Sequence, residues 1–375
     1  MSGQLNRVLL AGGGTAGHVM PLLSVAHLLR DSGAGVSIVG TAEGLESDLI
    51  PRYGFELLTL PRVPFPRRPG MAALRFPARI TAALRRAKEL IEQTRPEAII
   101  GFGGYVSAPV YIAARRLGVP VLIHEQNAKP GMANRLGARS AAAVALTFPG
   151  TKLSARHGIT EVTGLPLKPE IKALAEACVQ QRQQARTAAC RHFGLDDQLP
   201  VLLITGGSLG AAHLNEVVCA AAGAIPQTLN VIHICGRGKA ADVQQVFAGR
   251  DNYLVLEYLN EMELALAAAD TMVCRAGAAT VSENCALALP ALYVPLAIGN
   301  GEQALNAAAA VSAGGALLVS NADFGPENVR DVVEMLLDGE RIANMSRALE
   351  PLRRADADEQ IVSLLGRLVN GADAK

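Results

Sequence analysis

A short apolar run, a cluster of glycines and a helical stretch follow one another near the start of this chain. Val8 to Ala11 predicts a buried strand, Gly12-Gly13-Gly14 predicts a turn, and Met20 to Arg30 has apolar residues at helical spacing. Glycines let a ligand or another backbone segment approach without a Cβ in the way. The helix start behind them leaves N–H groups unpaired, which favours a bound anion or developing negative charge. His18 is the one titratable side chain in this turn.

The same order of strand, loop and helix recurs along the first half of the chain and restarts after a hinge at Leu165–Pro169. Further strands are predicted at Gly35–Gly40, Phe55–Leu60, Ala98–Phe102, Val119–Ile123, Ala143–Leu146, Glu161–Gly164, Val201–Thr205, Asn230–Gly236, Tyr253–Leu256, Thr271–Cys274 and Ala291–Pro295. Strands that alternate with helices predict the α/β class, with parallel sheets covered by helices on both faces.

The length of 375 residues and the repeated pattern predict two doubly wound, Rossmann-like domains that face each other across a cleft. We expect residues 1–167 to form the first domain, with a C-terminal helix of about 351–375 packing back on it, and residues 168–350 to form the second. Ligands of such sheets bind beyond the carboxyl ends of the strands. The segments Gly12–His18, Gly103-Gly104, His124–Asn127 and Gly164 are therefore expected to converge.

The charge is unevenly distributed although the net charge is only +1. Residues 1–167 carry 19 Lys and Arg against 10 Asp and Glu, whereas the remainder carries 16 against 24. Eight basic residues and no acid lie between Glu56 and Glu89, interleaved with apolar side chains. This combination predicts that the 62–88 segment docks on an anionic membrane surface. An ordinary helix facing the core, with chance surface charge, is the alternative.

The six cysteines all lie in the second half and form no CxxC pair, which indicates thiols in a reducing compartment. No signal-peptide pattern and no uncharged stretch of 18 apolar residues is present, so a cytosolic or peripheral protein is expected. Asp356-Ala357-Asp358 is the only Asp-x-Asp and lies in the tail, away from every predicted strand end. A metal-bridged diphosphate is therefore disfavoured, and we expect neither a metal, nor a cofactor, nor a nucleic-acid partner.

The first glycine loop matches the sequence of a dinucleotide-binding fingerprint but lacks the acidic residue that should accompany it. Gly12-x-Gly14-x-x-Gly17 has the spacing, but the second strand ends in Val39-Gly40-Thr41 without the acid that would hold a ribose, although Glu43 follows. A dehydrogenase is therefore disfavoured. A P-loop enzyme is also disfavoured, because no Gly-Lys-Ser/Thr is present.

A second glycine-opened helix is the better diphosphate site. Gly277-Ala278-Ala279-Thr280 has small residues, so the N–H groups of the helix start can reach an anion directly. Glu283 is placed either to accept hydrogen bonds from a ribose diol or to act as a capping-box carboxylate. Ser208, in the other glycine loop of this half, adds a hydroxyl donor.

Five motifs occur in a fixed order over nearly the whole chain. They are Gly13-Gly14-Thr15-Ala16-Gly17-His18, Gly103-Gly104-Tyr105-Val106-Ser107, His124-Glu125-Gln126-Asn127, Gly206-Gly207-Ser208-x-Gly210-Ala211 and Gly277-Ala278-x-Thr280-Val281-Ser282-Glu283. Each is weak alone, but together they resemble the MurG family of bacterial glycosyltransferases, within glycosyltransferase family 28. The resemblance implies a GT-B fold and inverting transfer of N-acetylglucosamine from UDP-N-acetylglucosamine to the 4-hydroxyl of N-acetylmuramoyl-pentapeptide on undecaprenyl diphosphate (lipid I). The product would be lipid II of peptidoglycan synthesis, made at the cytoplasmic face of the plasma membrane.

The resemblance also implies the substrate contacts. Thr15, Ala16 and Gly17 would line the donor sugar and the acceptor diphosphate, and Asn127 would contact the donor sugar. Lys168, Ser208 and Leu259 would hold the UDP part, Gln303 would reach the sugar hydroxyls, and the diphosphate and ribose would lie on Ala278, Ala279, Thr280, Val281, Ser282 and Glu283. Three positions depart from the family pattern: Ala16 stands for glycine, Lys168 for the arginine of Gly-Asn-Pro-x-Arg, and Glu302 for glutamine.

Inverting transfer needs a base that takes the acceptor proton. His18 is the predicted base because its ordinary pKa near 6.5 suits neutral pH; a structural His18, or His124 or Glu125 as the base, are the alternatives. UDP would leave as an anion stabilised by the helix start at Gly277 and by Lys168. Two other functions stay open: a related GT-B transferase with another acceptor, and a non-catalytic nucleotide-sugar-binding subunit.

Overall fold

The structure is a computed structural model that describes residues 5–64, 71–207, 210–296 and 301–372. The chain divides into two compact units: unit 1 comprises Met1–Lys168 and Asp356–Lys375, and unit 2 comprises Pro169–Ala355. Each unit has its own parallel sheet and its own hydrophobic core. The predicted α/β class with two Rossmann-like domains is therefore confirmed.

Unit 1 is built on a seven-stranded parallel sheet in the order β3-β2-β1-β4-β5-β6-β7. Its strands are β1 (Arg7–Ala11), β2 (Gly35–Gly40), β3 (Leu57–Thr59), β4 (Ala98–Gly101), β5 (Val121–Glu125), β6 (Ala143–Leu146) and β7 (Ile159–Val162). Its first helices are α1 (Ala16–Asp31), α2 (Glu46–Arg52), α3 (Met71–Thr94), α4 (Ser107–Leu117) and α5 (Met132–Gly137). The central strands β1, β4, β5 and β6 are almost continuously apolar because helices cover both faces of the sheet.

Helix α1 begins four residues earlier than the sequence predicted. Gly14 takes a positive φ of 88°, and Thr15, at φ −142° and ψ 154°, is the N-cap residue. The turn is therefore complete at Thr15, so Gly17 and His18 lie in the first helical turn rather than in the loop. Six apolar residues at helical spacing anchor the helix in the core: Val19, Leu22, Leu23, Val25, Ala26 and Leu29.

Unit 2 is built on a six-stranded parallel sheet in the order β10-β9-β8-β11-β12-β13. Its strands are β8 (Val201–Thr205), β9 (Asn230–Ile234), β10 (Tyr253–Leu256), β11 (Thr271–Cys274), β12 (Ala291–Tyr293) and β13 (Ala316–Leu318). Its helices are α6 (Pro169–Phe193), α7 (Ala212–Ala220), α8 (Ala241–Val246), α9 (Met262–Ala268), α10 (Ala278–Ala286), α11 (Glu302–Asn306), α12 (Ala308–Ser312), α13 (Pro326–Leu337) and α14 (Gly339–Leu349). Strand β13 was not predicted, since three residues are too few to show a period.

The last helix, α15 (Ala357–Ala372), packs back on unit 1, as predicted. Ile361, Leu364 and Leu365 are fully buried in the same core as α1. The boundaries differ slightly from the prediction: Lys168 belongs to unit 1 and residues 351–355 belong to unit 2. The second difference arises because the Arg353 guanidinium donates to the carbonyl of Ala175 on α6, at 2.8 Å.

Within the described residues, no helix is long and apolar enough to cross a membrane. The six cysteines are free thiols; Cys178, Cys190, Cys235 and Cys274 are buried. In the same parts of the chain, no three His, Cys, Asp or Glu side chains come together in a way that could hold a metal ion.

Candidate active site

The loops that follow β1 and β4 are in direct contact at the carboxyl edge of the unit 1 sheet. A Cβ on Gly104 would overlap the carbonyl of Gly13, and a Cβ on Gly103 would lie 3.2 Å from Nε2 of His18. Both glycines also have φ near +90°, so only glycine fits at this approach. The Ser107 hydroxyl fixes the two loops by donating to the last carbonyl of β1 and to the carbonyl of Gly103. The predicted convergence of these loops is confirmed.

His18 lies in the first turn of α1, half-buried, and the preceding residues 14–17, from the end of the loop into the helix, are all exposed. Its Nδ1 is 2.9 Å from Oγ1 of Thr15. Burial lowers the pKa of His18 below its ordinary 6.5, and the Gly13 backbone and the Glu46 carboxylate raise it by less. The imidazole is therefore neutral at pH 7, the state that a general base needs. The Thr15 hydroxyl, which the resemblance assigned to substrate, contacts the His18 ring.

The Glu46 carboxylate lies beneath the glycine loop, and sequence reasoning missed it. It is fully buried and accepts hydrogen bonds from the Gly14 N–H at 2.9 Å, the Thr41 N–H at 3.0 Å and the Thr41 hydroxyl at 2.7 Å. Burial raises the pKa of Glu46, but these hydrogen bonds outweigh it and the pKa is lowered. The acid after β2 is thus turned towards the loop itself, where a dinucleotide-binding domain would offer it to a ribose. Two glycines shortly before it, at positions 40 and 44, were the available signal.

The two alternative bases, His124 and Glu125, both lie in the interior of unit 1. His124 is 0% exposed, its Nε2 is 3.0 Å from the carbonyl of Gly164, and burial lowers its pKa to about 4. Glu125 is 3% exposed, and burial raises its pKa. Its carboxylate accepts hydrogen bonds from the following loop, from the N–H groups of Asn127 and Gly131 and from the Asn134 amide. Glu125 therefore holds the loop that carries Asn127, which is half-buried.

The loop after β5 also reaches the glycine loop of α1. A Cβ on Gly17 would lie 3.4 Å from Oε1 of Gln126, while the Gln126 amide donates to the carbonyl of Phe102 at 3.0 Å. Gln126 is thus held between the ends of β1 and β4. The structure therefore brings Thr15, Ala16, Gly17 and His18 to the same edge of the sheet as the segment His124–Asn127.

In unit 2, helix α10 starts without a side-chain cap. Gly277 is the N-cap residue in an extended conformation, and the first turn, Ala278 to Thr280, is half-buried or exposed. The N–H groups of this turn are therefore directed towards any anion at the helix start. The capping-box interpretation of Glu283 is wrong, because the N3 position is occupied by Thr280 and no side chain caps the helix. Glu283 lies one turn further along and is half-buried.

The other carried-over residues of α10 and α11 differ in accessibility. Ser282 is half-buried, whereas the side chain of Val281 is 1% exposed and its N–H donates to the carbonyl of Gly277. Val281 therefore packs in the core. Gln303, on α11, is half-buried and accepts the N–H of Leu296 at 2.9 Å. The Asn306 amide joins α11 to the start of α10 by donating to the carbonyl of Ala276 at 3.2 Å.

Three remaining predicted contacts are placed as follows. Leu259 is half-buried and lies just beyond β10, an edge strand three positions from β11 in the sheet. Lys168 is half-buried at the end of unit 1. Ser208 lies outside the described residues, although the neighbouring Gly207 and Gly210 close the turn by a hydrogen bond of 2.8 Å and both have positive φ.

Arg275 is a cation at the start of α10 that sequence reasoning also missed. Its Nη1 donates to the carbonyls of Val294 and Pro295 and to the Asn321 amide oxygen, and its Nε is buried without a partner. No carboxylate of the described residues forms an ion pair with it. A lone arginine two residues before a glycine that opens a helix was the available signal. The uncapped N–H groups of α10 suit a phosphate, and Arg275, two residues before Gly277, is held by carbonyl oxygens on the segment after β12.

Helix α3 carries most of the described part of the basic segment predicted to meet a membrane. Its C-terminal half packs on the core through Ala83, Ala87, Leu90 and Ile91. In its N-terminal half, the described side chains 75–82 are all exposed or half-buried. Residues 65–70 of the predicted 62–88 segment lie outside the described residues. The core-facing alternative is therefore correct for the second half of the helix, and none of the described side chains of the first half is buried.

The basic residues of α3 fall into two groups. Arg86 and Lys88 are paired with Glu89 and Glu92, at 3.3 and 3.5 Å. Arg75, Arg79 and Arg85 are exposed and form no ion pair with any described residue. Phe76, Ile80 and Leu84, spaced by four residues, are half-buried between them.

Comparison with known proteins gives two family matches. Residues 8–146 match the Glycosyltransferase family 28 N-terminal domain, and residues 201–361 match the Glycosyltransferase family 28 C-terminal domain. A transferase of Bifidobacterium adolescentis, named UDP-N-acetylglucosamine--N-acetylmuramyl-(pentapeptide) pyrophosphoryl-undecaprenol N-acetylglucosamine transferase, is 47% identical over 92% of this chain and 92% of its own length. The protein of the same name from Streptomyces coelicolor is 45% identical over 96% and 97%.

Solved structures agree with these matches. The crystal structure of Acinetobacter baumannii MurG is similar with a TM-score of 0.78 and 30% identity, covering 96% of this chain and 99% of that one. The calicheamicin glycosyltransferase CalG4, at 18% identity and a TM-score of 0.65, shares the fold. With two domain matches in order and relatives near 45% identity over nearly its whole length, this chain belongs to glycosyltransferase family 28.

Proposed function

We propose that this chain transfers N-acetylglucosamine from UDP-N-acetylglucosamine to the 4-hydroxyl of N-acetylmuramoyl-pentapeptide on undecaprenyl diphosphate, giving lipid II and UDP. The observation that carries this proposal is the 45–47% identity to transferases of that name over more than 90% of the chain. Identity at this level extends over both units, so it covers the donor and the acceptor sides together. The calicheamicin transferase neighbour is consistent with the alternative, a natural-product acceptor, only at the level of the fold.

The donor nucleotide is assigned to unit 2. The start of α10 supplies uncapped N–H groups, and Arg275 supplies a positive charge beside them. These groups favour the diphosphate in the ground state and the UDP anion as it leaves. Glu283 would accept the ribose hydroxyls, with Ala278, Ala279, Thr280 and Ser282 around the diphosphate and ribose. Lys168, Ser208, Leu259 and Gln303 are further proposed contacts to UDP and the donor sugar, and Thr15, Ala16, Gly17 and Asn127 of unit 1 would also line the donor sugar.

The acceptor and the base are assigned to unit 1. His18 is neutral at pH 7, is next to the exposed residues Gly14 to Gly17, and is more accessible than His124 or Glu125. For Nε2 to accept a proton, Nδ1 must carry the ring hydrogen and donate it to the Thr15 hydroxyl, which is within hydrogen-bond distance. Nε2 would then take the proton of the acceptor hydroxyl while its oxygen attacks the anomeric carbon. The bond from that carbon to UDP breaks on the opposite side, which inverts the configuration.

The lipid-linked acceptor explains the exposed half of α3. Arg75, Arg79 and Arg85 would approach anionic headgroups, with Phe76 and Ile80 facing the headgroup region. We propose that the chain is peripheral at the cytoplasmic face of the plasma membrane, where such an acceptor is exposed to cytosolic UDP-N-acetylglucosamine.

UDP release by the purified chain tests the proposed function. With UDP-N-acetylglucosamine and lipid I, or a short-chain analogue of it, we expect release of one UDP per disaccharide formed and no need for another protein. UDP release with a different acceptor, and none with lipid I, would show that the acceptor assignment is wrong. UDP-N-acetylglucosamine binding without release in any mixture would indicate a non-catalytic binding subunit.

A further inference from the structure

We propose that Glu46 is a positioning residue: its buried carboxylate occupies the anion position of the first glycine loop and thereby fixes the loop that carries His18. The inference rests on the proposed function only for its effect on turnover. The placement of the loop can be tested without any activity. No catalytic contact is assigned to Glu46, because it is fully buried.

The geometry uses both oxygens of the carboxylate. Oε2 accepts the N–H of Gly14 in the β1–α1 loop, and Oε1 accepts both the N–H and the hydroxyl of Thr41 at the end of β2. Glu46 thus links Gly14, which lies 32 residues earlier in the sequence, to Thr41, which lies 5 residues earlier. A neutral amide has only one acceptor oxygen, so it cannot serve both sides.

Glycines surround the carboxylate. A Cβ on Gly13, on Gly40 or on Gly44 would overlap the Glu46 side chain. Gly13 of the β1–α1 loop, Gly40 at the end of β2 and Gly44 before α2 therefore make room for one acidic side chain. The chain thus supplies its own anion on the inner side of this loop, where the carboxylate holds the Gly14 N–H.

The negative charge of Glu46 affects the pKa of His18. The Glu46 carboxylate raises the pKa of His18 against the lowering by burial, and His18 in turn lowers the pKa of the neighbouring His124. Burial keeps His124 neutral down to a pH of about 4, so Glu46 is the charged group beside His18 at neutral pH. Removing the charge should lower the pKa of His18 further.

Glu46→Gln, compared with Glu43→Gln, tests the inference. Each variant removes one carboxylate from the segment between β2 and the first turn of α2, but Glu43 is exposed whereas Glu46 is buried. In Glu46→Gln we expect faster hydrogen exchange at the Gly14 amide and a lower His18 pKa, read from imidazole NMR titration. We expect kcat to fall by about 10- to 100-fold through misplacement of the loop, with the affinity for UDP, which is assigned to unit 2, unchanged. Glu43→Gln should match the wild type in all four measurements.

Unchanged Gly14 exchange and an unchanged His18 pKa in a folded Glu46→Gln would overturn the inference, whatever the activity. A lower affinity for UDP with kcat unchanged would also contradict it. If Glu46→Gln does not fold, Glu46→Asp replaces it: the charge stays but the carboxylate is withdrawn by one methylene. Gly14 exchange should then rise while the His18 pKa moves less, and normal exchange would refute the proposal. An inactive wild type with the expected NMR changes would instead refute the proposed function and leave this inference standing.

Discussion

Two helices in this chain begin behind a glycine at the carboxyl edge of a parallel sheet, and their surroundings are electrostatically opposite. The start of α1 has the Glu46 carboxylate beneath it, bonded to the Gly14 N–H, and a neutral imidazole beside it. The start of α10 has no side-chain cap and has Arg275, without a carboxylate partner among the described residues, two positions before Gly277. The first arrangement uses a loop N–H to hold a carboxylate of the chain itself, and the second leaves its N–H groups available to an anion.

This difference shows that a glycine-opened helix does not by itself specify a phosphate site. In both units the helix dipole and the free N–H groups are the same. What differs is the charge that the rest of the fold brings to the helix start. In unit 1 that charge is negative and internal, which leaves the loop suited to hold a base; in unit 2 it is positive, which suits a leaving diphosphate.

The largest expected effect comes from removing the imidazole of the first helix start. His18→Ala should lower kcat by about 10²- to 10⁴-fold, the range in which a general base contributes. The affinity for UDP, measured by calorimetry, should stay unchanged because the nucleotide is assigned to unit 2. His157→Ala is the control, since His157 is an exposed histidine of the same unit. Near-normal turnover of His18→Ala with lipid I would mean that His18 is structural and that the two helix starts do not divide the chemistry in this way.

The second largest effect concerns membrane binding, which is assigned to helix α3 of unit 1. Reversing Arg75, Arg79 and Arg85 to Glu changes the charge of the exposed half of α3 by six units. Each basic residue near an anionic bilayer contributes about 1 kcal/mol, so binding to phosphatidylglycerol vesicles should weaken by more than about 100-fold. Neutralising Arg86 and Lys88 with Gln should have a smaller effect, because both are paired with glutamates. Vesicle sedimentation measures both, and equal binding by wild type and the triple reversal would refute the surface.

A smaller effect is expected at the second helix start. Arg275→Met keeps the length of the side chain and removes its charge, so the KM for UDP-N-acetylglucosamine should rise by about 10- to 100-fold, the value of a hydrogen bond to a charged group. Arg330→Met is the matched control, because Arg330 is exposed on α13. Circular dichroism should show that both variants are folded. If Arg275→Met binds the donor as the wild type does, the positive charge at α10 is structural and the electrostatic contrast loses its functional meaning.

The sequence predicted what depends on local pattern. Short apolar runs followed by glycines located most strands, and the glycines at 103 and 104 were correctly placed against the first loop. It missed what depends on tertiary contacts. Glu46 acquires its role through a hydrogen bond to Gly14, 32 residues away, and Arg275 through partners on segments that follow β12 and β13. The start of α1 was misplaced because the positive φ of Gly14, which ends the turn early, is not encoded in periodicity.

The smallest expected effect is a displacement of the acidic limb of the pH profile. Protonated His18 cannot act as a base, so kcat/KM should fall as the pH drops through the His18 pKa. Because burial lowers that pKa, the limb should lie on the acid side of 6.5, and activity at pH 6.5 should exceed half of its plateau. The control is His18→Ala, whose residual activity should lack this acidic limb. If the acidic limb lies above pH 6.5 and survives in His18→Ala, another group is responsible for it. The assignment of a neutral base to the first helix start would then be wrong. An acidic limb below pH 6.5 that depends on His18 would show which effect sets the pKa of this imidazole. Burial, which favours the neutral form, would then outweigh the nearby Glu46 carboxylate, which favours the charged form.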